Sequence, residues 1–158
     1  MTTLTPEELL DRLKYDITTD DDNTTYYRFN GEIHRDNDQP AVIFADGTKW
    51  WYQNGVRHRD DDQPAVIHAG GIKYWHKDGY LHRDNDLPAV IKADGTKEWY
   101  QHGKRHRDND LPAVINADGT NGWFKDDKLH RDNDQPAIIR VDGSEWWVNG
   151  KFIKSKQS

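Results

Sequence analysis

An eight-residue block, His-Arg-Asp-x-Asp-x-Pro-Ala, begins at His34, His58, His82, His106 and His130, each start 24 residues after the last. A fixed period of this length limits the fold more than any other feature. Each copy is one supersecondary unit that buries its apolar surface only against its neighbours, so the chain must build a stacked array. An aromatic recurs in the same register at Tyr27, Trp51, Trp75, Trp99, Trp123 and Trp147. Turn pairs recur with it at Asp46-Gly47, Gly70-Gly71, Asp94-Gly95, Asp118-Gly119 and Asp142-Gly143. A second turn signal falls at Asn54-Gly55, Asp78-Gly79, His102-Gly103 and Asp126-Asp127, and the last copy, Asn149-Gly150, arrives one residue early.

Each unit reads as β structure. Ala41-Val42-Ile43-Phe44-Ala45 favours a strand, Asp46-Gly47 signals a two-residue type I′ turn, and Thr48-Lys49-Trp50-Trp51-Tyr52 is the returning strand. In that register Ala45 faces Thr48, Ile43 faces Trp50 and Val42 faces Trp51. Asn54-Gly55 turns the chain again, and Arg59 to Gln63 is a polar loop ended by Pro64. Trp51 and Ile43, nearly invariant in register, are the expected shared core. The fold class is therefore all-β, an elongated array of five 24-residue hairpin repeats forming one twisted sheet or an open solenoid. Residues 1–25 read as a capping helix and linker, 26–150 as the array and 151–158 as a tail.

Composition excludes several alternatives. Disorder requires few aromatics and high net charge, whereas this chain has seven Trp, seven Tyr and a net charge of only −6. Asp outnumbers Glu by 23 to 5, the balance of a turn-rich protein rather than a helical one. The absence of cysteine removes disulfides and thiolate chemistry, and suits a reducing, cytoplasmic setting. No apolar run has membrane-span length, and Met1-Thr2-Thr3-Leu4 lacks the basic start of a signal peptide. Without a Lys/Arg block, neither nucleic acid nor an anionic membrane is an expected partner.

At the N-terminus Thr5, Pro6 and Glu8 compose a helix start, with Thr5 as N-cap and Glu8 completing a capping box. Leu9, Leu10 and Leu13 form an apolar stripe on a helix too short to stand alone, expected to fold over the first repeat. A docking helix for another protein is the alternative. Ile17 to Thr25, with Asp20-Asp21-Asp22, reads as a linker.

The spacing Tyr52, Gly55, His58 and Tyr100, Gly103, His106, with Asp46-Gly47 and Asp94-Gly95, resembles MORN-type hairpin repeats over the whole array. Arg59 and Arg107 stand where those repeats have Gly, and the Arg-Asp-x-Asp-x-Pro insert has no counterpart, so the resemblance is to a variant family. It implies an elongated scaffold for protein partners or for self-association. Variants of this repeat also occur in small bacterial antitoxin or immunity proteins, an alternative role that an acidic chain tolerates.

Chemistry-bearing residues recur five times over: His34, Arg35, Asp36 and Asp38; His58, Arg59, Asp60 and Asp62; His82, Arg83, Asp84 and Asp86; His106, Arg107, Asp108 and Asp110; His130, Arg131, Asp132 and Asp134. Catalysis needs one asymmetric constellation, so equivalent copies predict a structural ladder and no enzyme, cofactor or catalytic residue. The kinase-like His-Arg-Asp is accidental, because Ala41 stands where that loop needs Asn. In an extended segment Asp36 and Asp38 would point the same way and could stack into a cation ladder. The preferred expectation is that each Arg neutralises an Asp and that each His fixes its loop. His68, His76 and His102 do not repeat, and as histidines they receive no role. Recognition should then lie in columns that vary: Phe44, His68, Lys92, Asn116 and Arg140, facing Lys49, Lys73, Lys97, Asn121 and Glu145 as a cationic stripe for a protein partner.

Overall fold

The computed structural model describes residues 4–158; the first three residues of the predicted capping segment lie outside them. Helix α1 spans Pro6–Lys14. Thr5 Oγ1 accepts the Glu8 N–H at 3.2 Å and Glu8 Oε2 accepts the Thr5 N–H at 2.7 Å, which completes the capping box. The helix meets the first repeat through the face opposite its leucines. Asp11 pairs with Arg35 and Lys14 with Asp36, while Leu9, Leu10 and Leu13 are 50%, 67% and 85% exposed. The expectation of an apolar cap is therefore corrected. Asp11, Lys14 and Tyr15 lie at i, i+3 and i+4 on one side, and the leucines occupy the other.

The chain then enters β1 (Asp16–Thr19) and β2 (Thr25–Phe29), antiparallel with Ile17 opposite Tyr27. The stretch read as a linker is thus a hairpin. Asp20 Oδ1 accepts the N–H groups of Asp22 and Thr24, which folds the acidic run into a turn instead of leaving it solvated. After β3 (Glu32–Ile33) the first full unit comprises β4 (Val42–Ile43), β5 (Lys49–Trp50), β6 (Tyr52–Gln53) and β7 (Val56–Arg57). This four-strand pattern recurs three more times, and the fifth copy closes on Gly143–Val148 and Lys151–Gln157.

Counterparts of β4 and β5 join β1, β2 and the closing strands in one antiparallel sheet. Thirteen strands lie along its path, β3 pairs beside it, and the path does not close on itself. Each β6–β7 pair is a separate small hairpin on the flank. Successive flank hairpins are tied by single backbone bonds, such as Gly79 N–H to Arg57 O at 3.1 Å and Gly103 N–H to Leu81 O at 2.9 Å.

The register of the main hairpin differs from the expectation. Val42 faces Trp50 and Ile43 faces Lys49, because three residues, not two, make the turn. Phe44 O accepts the Gly47 N–H, Phe44 N–H reaches Thr48 O, and only Gly47 has positive φ (88°), the signature of a type I turn followed by a glycine bulge. Type I′ geometry appears instead at Asn54-Gly55, where φ is 48° and 74°. One consequence is that Phe44 shares a face with Thr48 and Trp50, while Lys49 projects from the other.

Ala41, Ala65, Ala89, Ala113 and Ala137 are completely buried, and Trp51, Trp75, Trp99 and Trp123 are 7–8% exposed. Val42, Val66 and Val90 join them; Ile43, expected in the core, is only half-buried. Each Trp Nε1 donates to a loop carbonyl 13 residues earlier, Trp51 to Asp38 O at 3.0 Å and Trp99 to Asp86 O at 2.9 Å. In the last repeat the turn shortens to two residues, Arg140 faces Gly143, and Trp146 takes over this bond with Asp134 O. Residues 151–157, read as a tail, form the final strand.

Candidate functional site: a constant ladder and a variable cleft

The loop before each Pro is built from left-handed residues. Asn37 and Asp38 have φ of 56° and 54°, and the Gln39 N–H bonds Asp36 O, so the segment turns instead of extending. Asn and Asp tolerate this conformation better than other residues with a Cβ. The two carboxylates diverge as a result. Asp36 reaches back to His34 Nε2 at 2.9 Å, while Asp38 reaches forward to the next repeat. Among the described residues no three His, Asp or Glu side chains converge on a point that could hold a metal ion. Asp36 and Asp38 therefore do not point the same way, as an extended segment would have made them.

What Asp38 meets is Arg59, in a two-pronged pair at 2.6 and 2.8 Å. Arg83 holds Asp62, Arg107 holds Asp86 and Arg131 holds Asp110 in the same way. These guanidinium bonds keep the four carboxyls below the usual Asp range. Each guanidinium also lies over an aromatic ring: Arg35 over Tyr27 and Arg59, Arg83, Arg107 and Arg131 over Trp51, Trp75, Trp99 and Trp123, at 3.8–4.0 Å from the ring centroid. The third prong goes to the carbonyl of the loop proline. Both ends of the ladder are completed by substitutes. Asp11 of α1 receives Arg35, and Lys154 of the last strand reaches Asp134 at 3.1 Å and covers Trp146.

The histidines join loop to hairpin. Nε2 of His34, His58, His82, His106 and His130 lies 2.9–3.1 Å from Asp36, Asp60, Asp84, Asp108 and Asp132. In four of the five, Nδ1 accepts the N–H of a turn residue about twenty positions on, Asn54, Asp78, His102 or Asn149. His106 departs, with Nδ1 3.7 Å from the Asp126 carboxylate. Asp84 is lowered to about 2 by Lys77 and then His82, and Asp36 is lowered well below the usual range by Lys14, His34 and Tyr15. Between successive loops lie four equivalent polar grooves, the largest about 480 Å³, walled by these same paired side chains.

The other face of the sheet is different in every repeat. Phe44 shares it with Trp50, and the flank hairpin adds Tyr52 and Arg57: Phe44 and Trp50 are 4.6 Å apart, and Arg57 lies 4.6 Å from the Trp50 ring and donates to the Tyr52 hydroxyl. In the second repeat these positions hold His68, Tyr74, His76 and Leu81. His76 is buried beside Arg57, and burial with that neighbouring charge lowers it to about 4. The third repeat holds Lys92, Glu98, Tyr100 and Arg105. Burial opposes ionisation of Glu98, but bonds from Lys92, Tyr100 and Arg105 outweigh it and keep its pKa low; burial and that carboxylate push Tyr100 up to about 12. The fourth holds Asn116, Gly122, Phe124 and Leu129. The Phe124 ring packs over Gly122, 2.9 Å from where a Cβ would stand, and beside it a hollow of about 360 Å³ is lined by Val114, Phe124, Leu129 and Ile138 and rimmed by Lys92, Arg105, Asn116 and Arg140.

The predicted stripe is thus divided. Phe44, His68, Lys92, Asn116 and Arg140 border this cleft, whereas Lys49, Lys73 and Lys97 stand on the opposite face, exposed. Sequence reasoning missed the positions that share the cleft with residue 44, those of Trp50, Tyr52 and Arg57. Their signal was present, since they too vary within a fixed register, but the expected two-residue turn paired Trp50 with Ile43 instead of Val42.

No family model and no curated protein matches the chain. Among the described residues no helix is long and apolar enough to cross a membrane.

Proposed function

We propose that the chain is a non-catalytic scaffold that binds a protein partner through the variable cleft. One observation carries this reading: five repeats hold the same loop, Trp and Ala columns, while one face changes from aromatic to His to ion network to open hollow. Folding explains the constant columns, and recognition is the use for the changing ones. The partner's chemistry follows from the cleft. An apolar side chain fills the hollow beside Phe124, and the rim, where Lys92 and Arg105 already pair with Glu98 and Arg140 with Glu145, takes polar groups that share those ion pairs. The MORN-like resemblance, with its implied scaffold use, points the same way. The non-enzymatic part of the reading is supported by the ladder histidines, four of which have both ring nitrogens engaged in holding the loops.

The test is capture of a partner by the full chain and two double variants. Lys92→Gln with Arg140→Gln removes cations from the cleft rim, and Lys73→Gln with Lys97→Gln removes two from the opposite face. Loss of binding only in the first pair is expected. Loss only in the second, with both variants folded by circular dichroism, places recognition on the other face and refutes the cleft.

A further inference from the structure

The ends of the array differ from everything between them. Residues 1–25 carry seven carboxylates against two cations, a net of −5, and residues 151–158 carry Lys151, Lys154 and Lys156, a net of +3. The 125 residues between them sum to only −4. Exposed apolar surface is segregated in the same way. Seven large apolar side chains are at least half exposed among the described residues, and six sit at the two ends: Leu9, Leu10 and Leu13 on α1, and Val141, Phe152 and Ile153 at the other. The end strands, β1 and Lys151–Gln157, each pair with a single neighbour, and all seven residues of the latter are exposed.

An unpaired edge with apolar side chains is a template for another strand. We propose that the occupant is a second copy of this chain, joined head to tail, with the acidic β1–α1 end of one molecule against the basic closing strand of the next. Charge chooses this arrangement over its competitor. Two closing strands could pair antiparallel about a twofold axis, the better hydrogen-bonding geometry, but that sets three lysines against three lysines. Two β1 ends would likewise set carboxylates against carboxylates. The thirteen strands along the sheet alternate in direction, so the first and last run the same way, and a head-to-tail junction that keeps the clefts of both copies on one side is a parallel pair. Parallel pairing is slightly weaker per residue, and opposite charges with the leucine stripe of α1 over Phe152 and Ile153 compensate for it. Such a contact is heterologous and does not close, so it grows into open chains. This inference is independent of the variable cleft, which lies between the ends and stays accessible in a chain of copies.

Sedimentation velocity of the full chain across a wide concentration range tests it. In low salt the mass should rise above the 18.5 kDa monomer without levelling at a dimer. At about 1 M salt, where the Debye length is about 3 Å, association should weaken at least about tenfold. Lys151→Glu with Lys156→Glu, which spares the Lys154–Asp134 contact, should give monomer. Asp16→Lys with Asp21→Lys should do the same, and mixing the two variants should restore association through the one native junction they still form. Leu10→Glu with Leu13→Glu should also give monomer if the stripe is part of the contact. A monomer at every concentration in low salt overturns the proposal. So does a mass that stops at a dimer, or association that ignores both charge pairs.

Discussion

His76 provides a quantitative check on the cleft. It is 8% exposed, it faces the Arg57 guanidinium at 3.4 Å, and its Nδ1 has no hydrogen-bond partner. Burial first and Arg57 second disfavour the imidazolium, which takes the folded-state pKa from 6.5 to about 4. The sign follows from linkage. A base with a depressed folded pKa binds fewer protons folded than unfolded, so stability is lost as pH falls through 6.5 and the loss levels off below 4. At pH 5 the unfolded chain holds this proton and the folded one does not, a difference of about 2 kcal/mol. At pH 7.5 the contribution is close to zero.

The informative variant is His76→Tyr, because the equivalent positions are Tyr52 and Tyr100, whose rings the same backbone already accommodates. Urea unfolding followed by tryptophan fluorescence, at pH 7.5 and pH 5, gives four free energies. The wild type should lose about 2 kcal/mol more than the variant between the two pH values. The ladder carboxylates, whose depressed pKa values cost stability at still lower pH, are common to both proteins and cancel in the comparison. If both proteins lose the same amount, His76 titrates as an ordinary imidazole, and the inward placement of this column in the cleft is wrong.

Trp99→Ala should cost about 3–5 kcal/mol in urea unfolding, because the ring is core to two repeats and its Nε1 holds a loop carbonyl; a loss below about 1 kcal/mol would put it in solvent. Arg83→Ala removes an ion pair with a half-exposed Asp62, worth about 1 kcal/mol at most, and a stack on Trp75 worth about as much. The expected total is about 1–2 kcal/mol, and Arg83→Lys should recover less than half because it lacks the planar fork. Deletion of residues 75–98, one full period, should leave a folded and less stable array by circular dichroism; complete loss of β signal would contradict the nearest-neighbour character of the stack.

The period, the β content, the Asn-Gly turns and the Trp column were legible because each is local or repeats in register. The turn at Asp46-Gly47 was not. Asp-Gly suits both a type I′ turn and a type I turn with a glycine bulge. In the Asp-Gly-Thr triplets at 46–48, 94–96 and 118–120 the Thr N–H bonds the Asp carboxylate at 2.8 Å, which supports the longer turn. Thr is not required for it, since Gly70-Gly71-Ile72 makes the same turn, while Asp142-Gly143-Ser144 makes the shorter one. The stack of each Arg on an aromatic eight residues before it, and its bond to an Asp 21 residues before it, depend on the rise from one repeat to the next, which no single unit encodes. The helix and its capping box were legible too, but the side it turns to the array was not. Its leucine stripe was real, but Asp11 and Lys14 meet specific ladder partners, and those contacts set which side faces the array.

The location of the rule-breaking residues deserves a physical explanation, because stability alone would repeat the best cluster in every unit. Four buried polar atoms lack a hydrogen-bond partner among the described residues, and three of them, on Trp50, Arg57 and His76, lie in the cleft. Each such atom costs about 1–3 kcal/mol. A buried carboxylate at Glu98 and the open hollow beside Phe124 add further cost on the same face. The ladder offers the array a way to tolerate this. Its Arg–Trp–Asp contacts recur between every pair of repeats, so a penalty in one cleft position stays local and the neighbours hold the register. Departures from an otherwise consistent pattern concentrate where function constrains the sequence. Here they fall on one side of one sheet, in adjacent units, and the loop side has only the buried Arg35 Nε, where Asp11 replaces the two-pronged partner found at the other rungs.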